Sequence, residues 1–127
     1  MFIDSHCHLL DAPLDKKIDA LIQAAAEYQI EHLVSIAPVR ELDRQNRLHQ
    51  KYPTRVSSAI GIHPLFLHEH TQDDLRTLEN ACRQKSISII GEIGLDFYLP
   101  DHHKETQLSV FEQQLQMAQQ FHLPVIL

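Results

Sequence analysis

Two histidines and an acid stand close together at the start of the chain, in the segment MFIDSHCHLL. Side chains two positions apart on a β-strand point to the same side. His6 and His8 could therefore approach one cation from a single wall, with Asp4 supporting them from the strand. Cys7 would point the other way, towards a helix layer, and we interpret it as a packing residue. A lone His-x-His is a weak signal, so other segments must decide whether it binds metal.

Two further polar segments follow apolar ones, GIHP with His63 and GEIGLD with Glu92 and Asp96. A carboxylate such as Glu92 supplies a hard oxygen ligand and can bridge two metals in a hydrolytic site. The alternatives are that His63 is an ordinary loop histidine and that Glu92 pairs with a lysine. Seven histidines are predicted to be solvated or on helix surfaces and are assigned no role: His32, His49, His68, His70, His102, His103 and His122.

These residues need elements to position them, and the sequence alternates short strands with amphipathic helices. The predicted strands are MFIDSH at the N-terminus, Leu33–Ala37, Val56–Gly61, Ile87–Gly91 and Pro124–Leu127. Helices are predicted over Asp15–Gln29 and Arg40–Tyr52, after an N-cap at Thr71 with Asp74 in the first turn, and along a face marked by Leu108, Phe111, Leu115 and Ala118.

Repeated β-α-β units favour an α/β fold with a parallel sheet. Two architectures fit, an open doubly wound sheet and part of a (β/α)8 barrel, which in full needs about 250 residues. Both place chemistry at the carboxyl ends of the strands. The segments that contain His6, His63 and Glu92 all lie at such ends, and this coincidence strengthens the metal hypothesis.

Composition limits the possible functions. The chain has 127 residues and a net charge of −6, which is not typical of proteins that hold nucleic acid by bulk charge. No apolar run approaches the ~20 residues of a membrane span, and no secretory signal is evident. Cys7 and Cys82 form no CxxC pair, so we expect free thiols and a cytoplasmic protein that does not contact membranes. An open-sheet nucleotide-binding module is disfavoured because the three glycines form no phosphate loop.

FIDSHCHL, GIHP, GEIGLDFY and QLSVFEQQLQMAQQFHLPVIL resemble, in this order, the TatD family of metal-dependent deoxyribonucleases in the amidohydrolase-like superfamily. The ordering is most similar to the YjjV-like branch. The resemblance extends from Phe2 to Leu127. It implies a TIM-barrel-type fold of which residues 1–127 are the N-terminal half, with about the first five strands and four helices.

By the same resemblance, His6, His8 and Glu92 would bind divalent metal, up to two ions in a complete site, as Mg²⁺, Zn²⁺ or Mn²⁺. Glu92 would also be the catalytic residue here. His63 and Asp96, and with them Asp4, would contact substrate or orient a ligand. The implied activity is hydrolysis of DNA phosphodiester bonds by metal-activated water. A different reaction of the superfamily, on an ester or cyclic amide, is an alternative.

The family pattern places further ligands after Leu127, so this chain would supply only part of the set. Half a barrel also exposes two sheet edges and an inner face, which invite pairing. The chain is then a piece of a longer protein, a half that pairs with itself or with a partner, or a truncated remnant. The rival to the enzyme is a non-catalytic half barrel that binds metal weakly or acts only as an assembly partner.

Overall fold

A computed structural model describes residues 1–98 and 103–127. Four strands form one parallel sheet in chain order: β1 (Phe2–Cys7), β2 (Ile30–Pro38), β3 (Val56–Gly61) and β4 (Ile89–Ile90). The helices are α1 (Ile18–Glu27), α2 (Leu42–Lys51), α3 (Gln72–Arg83) and α4 (Lys104–Phe121), and short 3-10 turns span Leu14–Lys16, Val39–Glu41 and Pro64–Glu69. The predicted α/β class with a parallel sheet is confirmed.

Alternate residues of β2 and β3 face opposite sides, as the pleat of a strand requires. Leu33 pairs with Val56 and Ala37 with Ile60, and these side chains face the helices. The largest apolar cluster joins them to residues from each of the four helices: Ile22, Leu48, Leu75, Leu78, Cys82 and Ala118. All four helices therefore cover one face of the sheet.

The opposite face has a smaller cluster of Val34, Ile36 and Ala59, with Ile89 and Ile126 packed beside it. Within the described residues this cluster contains no helix residue. An open doubly wound sheet has helices on both faces, whereas a barrel has them only outside. The sequential strand order with helices on one face is therefore the arrangement of half a (β/α)8 barrel.

Several predicted elements match closely. The third strand has the predicted bounds. The N–H and hydroxyl of Thr71 both donate to the Asp74 carboxylate at the start of α3, which confirms the predicted cap. The first helix is shorter than predicted, because a 3-10 turn and the residue Lys17 precede Ile18. No helix among the described residues is both long and apolar enough to cross a bilayer.

The last two strands are less regular than predicted. The fourth strand is only Ile89–Ile90. Segment 124–127 forms one parallel bridge, from Val125 to Ile90, rather than a full strand. Its backbone is nevertheless hydrogen-bonded to the sheet, because Ile90 N–H donates to Pro124 and Ile126 N–H donates to Ile90. The segment thus occupies the position of a fifth strand beside β4.

Candidate metal centre

The end of β1 places two imidazoles side by side. His6 Nε2 lies 3.2 Å from His8 Nε2, and the ring centroids are 5.1 Å apart. The Asp4 carboxylate accepts a hydrogen bond from the His6 backbone N–H at 3.1 Å. Asp4 thus fixes the backbone from which His6 extends.

Glu92 reaches the same point from the segment after β4. Its Oε2 lies 3.3 Å from His6 Nε2, and one ligand atom from each of His6, His8 and Glu92 fits within 4.8 Å of the others. The close packing of the Glu92 segment against its neighbours requires glycine at two positions. A Cβ on Gly61 would lie 2.9 Å from the Glu92 carbonyl oxygen, and one on Gly91 would lie 2.7 Å from the Ile126 Cβ. The GIHP and GEIG glycines therefore permit close packing of the site segments.

The three side chains fit a divalent cation. Ligands at about 2.0–2.2 Å around a tetrahedral ion lie roughly 3.3–3.6 Å from one another. The His6–Glu92 distance of 3.3 Å is at the lower end of that range, and the His6–His8 distance of 3.2 Å is just below it. Imidazole nitrogen and carboxylate oxygen are suitable donors for several divalent metals, so the donor set alone selects none. The described residues could thus hold one cation between β1 and the end of β4.

His63 faces the other oxygen of Glu92. The Leu65 backbone N–H donates to His63 Nδ1 at 3.1 Å, so in the neutral ring the proton is on Nε2. That Nε2 is 3.5 Å from Glu92 Oε1, too long for a good hydrogen bond but close enough to orient the carboxylate. His63, His8 and Glu92 also line a cavity of about 200 Å³ beside the cluster.

Asp96 lies apart from the three ligands. Its carboxylate accepts a hydrogen bond from the Tyr98 N–H at 2.9 Å, and it shares with His63 and Glu92 the wall of a second cavity of about 370 Å³. The structure thus brings His6, His8, Glu92 and His63 into one cluster and places Asp96 at its margin.

Two glutamines of α4 hold the loops of the site, and the sequence analysis missed them. The Gln114 amide bonds both backbone groups of Ile62, accepting from its N–H at 2.8 Å and donating to its carbonyl at 3.2 Å. The Gln107 amide does the same for Asp96, at 2.7 and 2.6 Å. Each loop is therefore fixed by its backbone from one helix, next to His63 in the first case and at Asp96 itself in the second.

The predicted face of α4 is accordingly wrong in part. Leu108 and Leu115 are 43% and 37% exposed, whereas Gln107 and Gln114 are buried with Ala118. The spacing from Gln107 to Gln114 is two helical turns, a signal that the sequence offered. It was missed because glutamine on an amphipathic helix is usually on the polar face.

Cys7 lies on the side of β1 away from the ligands. Its thiol donates to the Val34 carbonyl at 3.3 Å, and it packs against the main apolar cluster. Burial is the main cause that raises the pKa of this thiol to about 12, and Asp4 adds to it. Cys82 is buried in the same cluster, and burial raises its pKa to about 11. Both thiols are protonated at neutral pH and are poor metal ligands.

Three of the histidines that were predicted to be solvated or on helix surfaces make specific contacts or are buried. His32 bonds the Ser57 hydroxyl at 2.8 Å, and His49 bonds the Val56 carbonyl at 2.6 Å. The His70 side chain is only 5% exposed, beside Asp74. The prediction failed because a histidine in a polar stretch gives no sign of its backbone and hydroxyl partners. His102 lies outside the described residues.

Comparisons with known proteins agree with this geometry. The chain is 33% identical to the uncharacterized metal-dependent hydrolase YjjV of Escherichia coli, over 99% of this chain and 49% of that protein. It is 29% identical to human deoxyribonuclease TATDN3, over 97% of this chain and 50% of that protein. The chain spans about half the length of the curated relatives that it matches.

A solved structure and a family model also match this chain. The crystal structure of E. coli YjjV, a TatD homologue, superposes with a TM-score of 0.92 at 31% identity, over 98% of this chain and 49% of that chain. This confirms the predicted TIM-barrel-type fold. The family model described as TatD related DNase matches residues 3–127. The chain therefore belongs to the family of TatD-related DNases and metal-dependent hydrolases.

Proposed function

We propose that this chain forms the part of a phosphodiester hydrolase that holds a divalent metal, and that DNA is the substrate. The observation that supports it best is the cluster of His6, His8 and Glu92, whose ligand atoms lie within 4.8 Å of one another. Support also comes from the relatives, since human TATDN3 is named a deoxyribonuclease.

The side chains have distinct roles in this proposal. His6 and His8 hold the cation by Nε2, and Glu92 holds it by Oε2, the oxygen nearer His6. When bound, a divalent cation polarises a phosphoryl oxygen and lowers the pKa of water. His63 keeps the Glu92 carboxylate in place through Oε1, and its Nδ1, bonded to the Leu65 N–H, cannot accept a proton without losing that bond.

Other parts of the proposal concern Asp96, Asp4, the metal and the compartment. Asp96, on the wall of the cavity beside Glu92, contacts substrate or a water molecule. Asp4 positions His6 through the backbone. A complete site holds up to two ions, of Mg²⁺, Zn²⁺ or Mn²⁺. The free thiols of Cys7 and Cys82 are compatible with a reducing compartment, and a cytoplasmic location is the corresponding proposal.

Metal titration tests the assignment first. Metal-free chain titrated with Zn²⁺ or Mn²⁺ in a calorimeter should bind one ion, and Glu92→Gln and His6→Ala should each weaken binding by at least about tenfold. His68→Ala is the matched control, because the His68 side chain is 69% exposed and lies outside the cluster. Equal affinity in wild type and Glu92→Gln would refute the ligand assignment.

Hydrolysis is measured next, on a labelled DNA oligonucleotide with metal and with a chelator. Metal-dependent cleavage that disappears in Glu92→Gln and persists in His68→Ala is expected. Metal binding with no cleavage would favour the second candidate, a half barrel that binds metal and serves in assembly. The observation that favours this candidate is the exposed apolar residues of the edges, Phe2 and Ile3 on β1 and Val125 and Leu127 beside β4. Light scattering separates the two, because the assembly partner should form oligomers.

A further inference from the structure

A third cavity, on the helix side of the sheet, has a charge balance opposite to that of the whole chain. It measures about 610 Å³ and lies between α2 and the turn that leads into α1. Leu10, Ile18, Leu48 and Tyr52 form part of its lining. Of the described residues that line it, none belongs to the candidate metal centre. Its volume is within the range of about 300–1,000 Å³ that is typical of ligand sites.

The charged side chains of this cavity are mostly positive. Five of the eleven lysines and arginines of the chain line it: Lys16, Lys17, Arg44, Arg47 and Lys51. Only two acids do so, Asp15 and Asp19. The cavity therefore has an excess of three positive charges in a chain whose net charge is −6. A local field of this sign attracts anions.

Three of the five cations have no acidic partner. Lys51 donates to Asp19 at 2.7 Å, and Arg44 donates to Glu41 at 2.9 Å and to Asp15 at 3.3 Å. Lys16, Lys17 and Arg47 form no ion pair with any residue that the structure describes. These three side chains are free to bind a ligand.

Helix stability does not explain the lysines. Lys16 and Lys17 lie next to the first residue of α1, where the helix dipole is already positive and a cation is unfavourable. Arg47 is exposed on α2 and forms no pair along its own helix. A bound anion would offset the repulsion among them.

The cations of α2 are also spaced along one helical stripe. Arg40, in the turn before α2, is followed by Arg44, Arg47 and Lys51 at intervals of four, three and four residues. Arg40 lines the same cavity as His8 and Glu92. The stripe thus extends from the cavity beside the metal centre, where Arg40 is paired with Glu69, to the basic cavity.

We propose that the basic cavity binds phosphates of a single-stranded nucleic acid, at nucleotides beyond the one held at the metal centre; this rests on the proposed nuclease function. Lys16, Lys17 and Arg47 contact the phosphates, and the apolar lining with Tyr52 accommodates a base. Proteins that bind single strands combine a positive groove with an aromatic surface in this way.

Fluorescence anisotropy with a labelled oligothymidylate tests the proposal. The full chain is used in the presence of a chelator, so that nothing is cleaved and metal binding plays no part. The variant Lys16→Gln/Lys17→Gln/Arg47→Gln should bind more weakly. Each phosphate contact on a single strand contributes about 0.7 to the slope of log K against log salt, so the triple variant should lower that slope by about 2.

A matched triple variant controls for net charge. Arg76→Gln/Lys85→Gln/Lys104→Gln removes the same charge from exposed positions that do not line the cavity. It should keep the wild-type slope, and circular dichroism verifies that both triples fold. Equal slopes in the two triples, or no binding by wild type, would overturn the proposal. If thymidine monophosphate displaced the oligothymidylate with an affinity equal to that of the oligothymidylate, the cavity would be a mononucleotide site. That result would also overturn the proposal.

The strand-binding experiment and the hydrolysis experiment can give a negative result independently of each other. Loss of strand binding in the cavity variant, together with absent hydrolysis, would leave the basic cavity established without the nuclease. Hydrolysis that depends on Glu92, with unchanged strand binding in the cavity variant, would leave the nuclease without this cavity.

Discussion

The helix-facing side of the sheet has a continuous apolar layer to which all four helices contribute, whereas the described residues of the opposite side form a small cluster around Val34, Ile36 and Ala59. Ile60 and Leu78 on the first side are fully buried, while Ile3 on β1 is 63% exposed. The candidate ligands lie at the ends of strands, partly exposed, outside both clusters. Stability and chemistry therefore depend on different residues, and this separation can be tested by substitution.

The largest effect is expected in the helix-facing layer. Leu78→Ala removes a fully buried side chain of α3 and should lower the free energy of unfolding by about 2–5 kcal/mol. Ile3→Ala, on the exposed part of β1, should lower it by less than about 1 kcal/mol. Urea denaturation followed by circular dichroism measures both. Losses of equal size would show that the two faces do not differ as described.

A smaller effect is expected from the helix that fixes the loops. Gln114→Leu leaves the buried N–H and carbonyl of Ile62 without partners and should reduce the free energy of unfolding by about 1–3 kcal/mol. It should also weaken metal binding, because the loop that holds His63 loosens. Gln119→Leu, at an exposed position of the same helix, is the control and should change neither quantity. The assignment fails if the two variants behave alike.

A pH effect is expected at His70, between the 3-10 turn Pro64–Glu69 and α3. Burial is the main cause that lowers the pKa of His70; Arg40 acts in the same direction, and Asp74 and Glu69 oppose it. The unfolded histidine titrates near about pH 6.5, so below that pH the unfolded chain binds a proton that the folded chain does not. This contribution to stability is therefore complete above about pH 6.5 and is lost as the pH falls towards the lower folded pKa.

Unfolding at about pH 7.5 and about pH 5.5 measures this contribution. His70→Gln should reduce the difference between the two conditions. His68→Gln, at an exposed neighbouring position, should leave the difference as in wild type. An unchanged difference in His70→Gln would assign the pH dependence to other groups.

The smallest effect is expected at Cys7, which lies between two candidate ligands in sequence but on the other side of the strand. Cys7→Ala should leave Zn²⁺ affinity within about twofold of wild type, since the thiol faces Val34 and is protonated. His8→Ala, one position away, should weaken the same affinity by at least about tenfold. A large loss of affinity in Cys7→Ala would place the thiol at the metal.

The class of the sheet could be predicted from the sequence, because strand segments alternate with helical segments along the chain. The grouping of His6 and His8 could be predicted because side chains alternate between the two sides of a strand. The segment VSSAIG has the bounds predicted for the third strand. The inward face of α4 was not predictable in this way, because Gln107 and Gln114 satisfy backbone groups of loops that are distant in sequence. The fourth strand was predicted over Ile87–Gly91 but spans only Ile89–Ile90, although the Ser88 and Gly91 N–H groups still donate to carbonyls of β3.

The two glutamines of α4 have a consequence for how such a site changes over time. The Gln114 amide bonds the peptide groups of Ile62 and the Gln107 amide bonds those of Asp96, and these four bonds do not involve the side chains that the loops present. Substitutions in the loops can alter which substrates are accepted while the path of the chain is preserved. Because α4 holds the backbones of these loops, their side chains can change in evolution while the loops keep their positions. New specificities can therefore arise on the same scaffold.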